Sequence, residues 1–320
     1  MIDNTYSLGI DIGGTNTVFG LVDSRGQIIK KDSILTNSNN PPGLLFENIF
    51  NIINNWEIEL DNSDIVRDIG VGVPNGNYFT GMVVSPPNLG KDWDELNLCS
   101  LIKTFKNVPI SITNDANAAA LGEKYYGAIK SMTDAVVITL GTGLGSGIIA
   151  NNRILYGHDG FAGELGHLVI EPEGRKCGCG QRGCLEMYVS AKGIDYTFKE
   201  YKQKYPENNF LKIIKAKKVD GKLLDKAFDD GEKIVIDIYK YTGHMLGLGL
   251  AQIATILSPE AFVFYGGLSN AKHRLLDFAK DSMNDSLLSF QKNKIKILLS
   301  ELHDGEAGIL GASCLNILKN

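Results

Sequence analysis

The sequence predicts an α/β protein of two related domains facing a shared cleft, and three observations carry that expectation. At 320 residues the chain is long enough for two domains with cores of their own. Apolar runs of strand length alternate with segments of helical period along most of it. The third observation is an internal echo. From Tyr6 to Asp23, YSLGIDIGGTNTVFGLVD reads as strand, glycine turn with Thr15, strand. From Asp134 to Leu155, DAVVITLGTGLGSGIIANNRIL repeats that plan with Gly141, Thr142, Gly143, Gly145 and Gly147. Each reads as a β-hairpin whose turn lets backbone N–H groups approach a bound group closely.

After the first hairpin, TNSNNPP from Thr36 to Pro42 is a loop by composition, and Leu44 to Trp56 has helical period. Ile69 to Val73 and Val108 to Ile112 read as buried strands, and Ala116 to Tyr126 as a helix. Beyond the second hairpin, the polar stretch Lys199 to Asp230 reads as a helical surface insertion with loops, its charges a solvated face. Lys233 to Leu257 is a long helical stretch that Gly243, Gly247 and Gly249 weaken. The apolar run Ala261 to Tyr265 meets a third glycine break, Gly266-Gly267, before another helix.

Composition narrows the class. A hydrophobic fraction of 43% and a charged fraction of 22% are ordinary for globular proteins, and a net charge of −5 supplies no basic field for nucleic acid. MIDNTYSLGIDIGG shows no basic segment followed by an apolar one, so no signal peptide is expected. Met245 to Leu257 is shorter than a bilayer span and contains Gln252, which reads as a buried helix. The expectation is a cytoplasmic protein with reduced thiols and no membrane partner.

The densest chemistry lies between His167 and Glu186, G-H-x9-C-x-C-G-x4-C-x-E. His167, Cys177, Cys179 and Cys184 offer one imidazole and three thiolates, the ligand set of a closed tetrahedral Zn²⁺ site. A disulfide is the plainer alternative, but a Cys177–Cys179 bridge would close a very tight ring and leave Cys184 odd. Glu164 and Glu186 flank the set, so a metal there would fix two carboxylates in space. Asp11-Ile-Gly-Gly-Thr15 places a carboxylate at a strand end before two glycines and a hydroxyl, suited to phosphate and to Mg²⁺. No G-x-x-x-x-G-K-[ST] occurs, and the second loop, G-x-G-x-G, lacks dinucleotide spacing. Asn114-Asp115 stands at a strand-to-helix corner, where helix capping and catalysis weigh equally on residue physics alone. The other histidines get plain readings: His244 a satisfied core residue, His158, His273 and His303 at the surface. Cys99 and Cys314 read as small buried hydrophobes.

DIGGT, the N-D-A-N corner, the second G-T-G-x-G loop, A-G-E-x-G-H, C-x-C-G-x4-C-x-E and the late F-Y-G-G occur in that order over roughly residues 6 to 315. That set resembles the ROK family of sugar kinases, within the actin/hexokinase/Hsp70 (ribonuclease-H-like) fold superfamily. The resemblance implies a smaller α/β domain over residues 1–117 with a C-terminal helix at about 305–320. A larger one over 118–304 would carry the zinc loop and the helical insertion. It implies ATP-dependent phosphorylation of a hexose, glucose first, with Asp115 as general base. Gly13, Gly14, Thr15, Thr142 and Gly143 would hold phosphates, Asp11 Mg²⁺, and Gly266 and Gly267 the adenosine. Asn88, Asn114, Asp115, Glu164, His167, Glu186 and Gly76 would meet the sugar, His167 also serving the structural zinc. An N-acetylglucosamine or N-acetylmannosamine kinase, or a fructokinase, is the alternative within the family, and the resemblance implies a homodimer or a dimer of dimers. Two positions depart from the pattern: Asn75 stands where the family often has Gly, and Asn16 where many members have Lys. Sugar-responsive repressors share the body but need a helix-turn-helix before the first strand, which Tyr6 already opens.

Overall fold

A computed structural model describes residues 5–60, 65–214, 220–303 and 305–316. The chain divides into two compact units. One comprises residues 1–133, 147–163 and 300–320, the other 134–146 and 164–299. The four last residues of the C-terminal helix expected at 305–320 lie outside the described residues, as does part of the 199–230 insertion.

The first unit opens with strands β1 (Tyr6–Ile12), β2 (Asn16–Val22) and β3 (Ile28–Leu35), an antiparallel meander. Helix α1 (Pro42–Glu59) starts on a proline pair, where a missing N–H costs nothing, and buries Leu45, Phe46, Ile49, Phe50, Ile53 and Trp56 at helical spacing. Strand β4 (Val66–Gly72) pairs parallel with β1. A small hairpin of β5 (Met82–Val83) and β6 (Leu96–Asn97) and the short helix α2 (Leu98–Lys103) follow. Strand β7 (Ile110–Thr113) then pairs with β4 and turns into α3 (Asp115–Tyr125). The chain next leaves for β8 (Ala135–Leu140), β9 (Leu144–Ala150) and β10 (Arg153–Ile154). The division between the units falls inside β9.

In the second unit, α4 (Glu186–Val189) and α5 (Ala191–Lys204) precede α6 (Asn209–Ile213) and α7 (Gly221–Asp229). The 25-residue helix α8 (Lys233–Leu257) runs unbroken. Its glycines are clearance sites. A Cβ at Gly243 would lie 2.6 Å from the Phe278 Cβ, and one at Gly247 would lie 2.5 Å from the Ala279 carbonyl oxygen, both on α9 (His273–Ser286). The insertion is more than a solvated face: Leu211 and Leu224 join Ile194 and Phe198 in an apolar cluster with Ile234, Val235 and Ile238 of α8. His244 is exposed and not in the core. Its Nδ1 lies 3.0 Å from the Ser282 hydroxyl, because the glycine faces of α8 claim the packed side. Strand β11 (Ala261–Tyr265) pairs parallel with β8 and with β12 (Lys296–Leu299).

The internal echo is a repeat of topology. The two five-stranded sheets run β3-β2-β1-β4-β7 and β10-β9-β8-β11-β12, the same order of hairpin and parallel crossovers twice. Helix α10 (Glu306–Ser313) returns to the first unit and fills space left by glycines. A Cβ on Gly9, Gly70 or Gly122 would run into the carbonyls of Ile309, Ala312 and Ala307. This is the mixed α/β fold of the actin/hexokinase class.

Candidate functional site

In the first unit β1 delivers Asp11 to the glycine turn. Gly13 donates its N–H to the Asn16 carbonyl (2.9 Å), and Thr36 braces the turn from behind. The Thr36 hydroxyl donates to the Gly13 carbonyl (2.7 Å) and the Thr36 N–H to the Thr15 carbonyl (2.8 Å). Gly14 and Thr15 face a pocket shared with Leu35 and the Asn37, Ser38, Asn39, Asn40 run. Asn88 is exposed, holds a left-handed backbone (φ +65°) and packs on the turn: a Cβ on Gly14 would lie 2.9 Å from its own. The Asp11 carboxylate lies against Gly308 of α10, where any side chain would overlap it. Burial, and then the charge of Asp115, push Asp11 up to about 7.

At the β7–α3 corner both side chains reach the same backbone N–H of the helix start. Asn114 is the N-cap, its Oδ1 accepting from the Ala116 N–H at 2.9 Å; Asp115 is the first helical residue, and its Oδ1 accepts from the same N–H at 2.9 Å. Capping is satisfied by Asn114, and both side chains are half-buried. Gly76 packs where a Cβ would come 2.6 Å from the Thr113 carbonyl, which ties it to the strand that delivers the corner. Asn75 has φ +54°, so this position needs the left-handed backbone that Gly adopts freely and Asn tolerates. Sequence reasoning missed Asn77. Only 3% exposed, it accepts from the Phe79 and Thr80 N–H groups (3.0 and 3.1 Å) and donates to the Asp159 carbonyl (2.6 Å). Beside it Tyr78 stacks on Tyr156 at 4.3 Å. A small polar residue in a glycine-rich turn has an ordinary turn reading, so only the fold marks Asn77 as a tie.

In the second unit the other glycine loop, Glu164–His167 and Glu186 come together. Gly141 donates to the Gly143 carbonyl (3.0 Å), and Leu144 donates its N–H to Glu186 Oε2 (3.0 Å). A side chain at Gly143 would overlap that carboxylate. Leu165 to His167 form a 3₁₀ turn stitched to β9 by the Leu165 N–H on the Ser146 hydroxyl (3.4 Å). Ser146 and Leu144 were also invisible as site residues, lying in what reads as strand. Glu164 keeps about half of its side chain open (52%), yet burial of the rest and the nearby Glu186 hold its carboxyl above the usual range, against the pull of His167. Gly266 (φ +101°) abuts the Leu140 carbonyl at the end of β8, while a Cβ at Gly267 or at Gly141 would meet open space. Thr142 is exposed between Gly141 and Gly143.

The four expected ligands converge. One donor atom from each of His167, Cys177, Cys179 and Cys184 lies within 4.8 Å of the others. The Cys179 and Cys184 sulfurs are 3.7 Å apart, as are the Cys177 sulfur and His167 Nδ1. With Zn–S near 2.3 Å, a regular tetrahedron has an edge of about 3.8 Å, so the donor set fits zinc. All five cysteines are free. Burial, and then the neighbouring Cys179 and Cys177, push the Cys184 thiol up to about 12. Three thiols so crowded need a cation to ionise together. His167 is two-sided: its Nδ1 faces the sulfurs, and its Nε2 lies 3.9 Å from Glu164 Oε2.

Among the described residues no helix is long and apolar enough to cross a membrane. The sequence profile of the ROK family matches residues 7–318. A glucokinase of Thermotoga maritima is 32% identical over 313 residues, 96% of each chain. The xylose repressor of Bacillus subtilis is 30% identical over 98% of this chain and 77% of the repressor. The crystal structure of a ROK family glucokinase from Streptomyces griseus in complex with glucose and AMPPNP superposes with a TM-score of 0.77 at 30% identity, covering 97% of this chain and 98% of that one.

Proposed function

Because the chain belongs to the ROK family, we propose that it is a sugar kinase that transfers the γ-phosphoryl group of ATP to a hexose, with glucose as the substrate and Asp115 as the general base. The observation that carries this reading is the arrangement at the β7–α3 corner. Asn114 holds the N-cap, and the half-buried Asp115 carboxylate at the first turn of α3 stands near the Asp11 carboxylate, whose titration its charge raises. The likeness to a glucokinase that binds glucose and AMPPNP supports the same reading.

In the first unit, Asp115 takes the proton from the attacking hydroxyl as that oxygen reaches the γ-phosphorus, a contribution of about 10²–10⁴-fold. Asn114 keeps its amide nitrogen to donate to the sugar, and Asn88 and Gly76 border the same group. The backbone of Gly13 and Gly14 and the Thr15 hydroxyl cradle phosphate oxygens; Mg²⁺, held at Asp11, would offset their charge. In the second unit, Thr142 and Gly143 serve phosphate, Gly266 and the open side of Gly267 the adenosine. Glu164 and Glu186 each accept from neighbouring sugar hydroxyls, charge-assisted bonds being the stronger class. Zinc held at Nδ1 would fix the tautomer of His167 and leave Nε2 as a dependable donor to the sugar. Zinc held by His167, Cys177, Cys179 and Cys184 would have no open position and would be structural.

A panel of glucose, fructose, N-acetylglucosamine and N-acetylmannosamine with ATP and Mg²⁺ tests the assignment, with glucose expected to give the highest kcat/KM. Asp115→Asn should lower kcat at least 10²-fold while glucose binding, read by calorimetry, survives. A variant keeping most of its kcat sinks the base. No turnover of any sugar, with tight binding to operator DNA, would move the chain to the company of the xylose repressors.

A further inference from the structure

The cysteine loop is held by more than its ligands. Arg175 precedes Cys177 by two residues, and its side chain is only 9% exposed. A guanidinium has five N–H donors, and here all five are used. Nε and one Nη bond the two oxygens of Glu200 (2.9 and 2.6 Å). The other Nη reaches the carbonyls of Met187 (2.7 Å) and Gly193 (3.0 Å), and the remaining donor goes to the Thr197 hydroxyl (2.9 Å). The planar group also lies 4.6 Å over the Tyr188 ring. The backbone of the same residue closes the loop: its N–H donates to the Tyr188 hydroxyl (3.0 Å), and its carbonyl accepts from Gly183 (2.8 Å). Of these partners, Met187 immediately follows Glu186 in α4, and Gly193, Thr197 and Glu200 lie along α5.

We propose that Arg175 is a positioning residue that fixes the start of α4, and with it the Glu186 carboxylate, independently of the metal. The metal then governs the ring of His167 and the exposed Cys179 end of the loop, while Arg175 governs Glu186. The role in sugar binding rests on the kinase reading above; the anchoring itself does not. Charge alone cannot do this work. A lysine has three donors on a flexible stem and cannot span acceptors on two helices and a carboxylate at once.

The test uses the full chain, with zinc confirmed at about one per chain by elemental analysis, and then the same protein after chelation. Hydrogen exchange of the amides of residues 184–190 should stay slow in chelated wild type. It should quicken about 10-fold or more in Arg175→Ala whether or not zinc is bound. In steady state the hexose KM of zinc-loaded Arg175→Ala should rise about 10- to 100-fold with kcat and the ATP KM within about 3-fold, the pattern of lost ground-state binding. Arg175→Lys should share most of the rise, and millimolar guanidinium should partly reverse the Ala variant but not the Lys one. Glu200→Gln, which keeps the other three bonds, gives a milder KM increase should Arg175→Ala not fold. A wild-type hexose KM in both Arg175 variants, or equal loss of protection at 184–190 in chelated wild type, overturns the proposal. If the wild type phosphorylates no hexose, the kinase reading fails, and the exchange comparison alone decides the anchoring.

Discussion

At the scale of residues, the groups that carry charge or unusual geometry were legible, and the groups that hold them were not. The four candidate metal ligands announced themselves because thiolates at that spacing have few other uses, and the structure gathers them. Asn114-Asp115 stayed ambiguous until the backbone showed which of the two caps the helix. Arg175, Asn77 and Ser146 carry no such signature, since an arginine or a small polar residue is ordinary almost anywhere. Asp11 has a consequence for stability. Its carboxyl titrates near 3.8 unfolded and near 7 folded, so folding takes up a proton between those values. The native state is therefore not penalised below pH 3.8 and loses stability as pH rises toward 7. Asp11→Asn should be indistinguishable from wild type in melting at pH 4 and more stable at pH 8. The gain should lie between about 1 and 4 kcal/mol, the upper figure being the full shift and the lower allowing for partial solvent access. The same variant should lose activity. A gain as large at pH 4 as at pH 8 would exclude burial of charge as the cause.

At the scale of elements, period and punctuation found the strands and helices, and packing explains where they misled. Gly243, Gly247 and Gly249 argued against a continuous α8, yet they are what lets α9 and Leu185 come close. Propensity is a local quantity and cannot see the helix on the other side. The contest can be measured. Gly247→Ala gains about 1 kcal/mol of helix propensity. The new methyl would sit 2.5 Å from both the Ala279 carbonyl oxygen and the Ser282 Cβ, one of them rigid backbone. Overpacking of that kind costs about 1–3 kcal/mol or more, so the variant should melt a few degrees lower. A higher melting temperature would mean that α9 yields easily. The polar face of the insertion was legible, but the apolar residues through which it grips α8 were too sparse to stand out.

At the scale of the molecule, the repeated hairpin was visible because a glycine turn between two apolar strands is a local pattern, and the two matching sheet orders follow from it. The discontinuity of the first unit was harder to read. Residues 147–163 and 300–320 belong to it without any local mark of doing so. Helix α10 is buried from Ala307 to Ser313 and covers the glycine face of β1 and β4. Deleting residues 300–320 should therefore leave that unit unable to fold, read as rapid proteolysis within residues 5–133 while fragments of 164–299 persist. Equal resistance of both units would refute that dependence. The family adds a second lesson, since glucokinases and xylose repressors both match nearly the whole chain. The body alone does not choose between turnover and sensing, and the Asp115→Asn assay proposed above bears on that choice.

The threading of α10 also bears on how the protein is born. Synthesis runs from the N-terminus, so β1, β2, β4 and α3 emerge early with the seats of Ile309 and Ala312 still empty. The second unit, apart from its short first segment, is contiguous from Glu164 to Leu299 and needs nothing from residues 300–320 to close. The N-terminal half, though made first, is finished last. Until then it exposes sheet surface for which a holding chaperone could compete. A chain ending at Leu299 and released from the ribosome should accordingly be cut by protease within the first unit and spared within the second, and the 320-residue chain should resist in both.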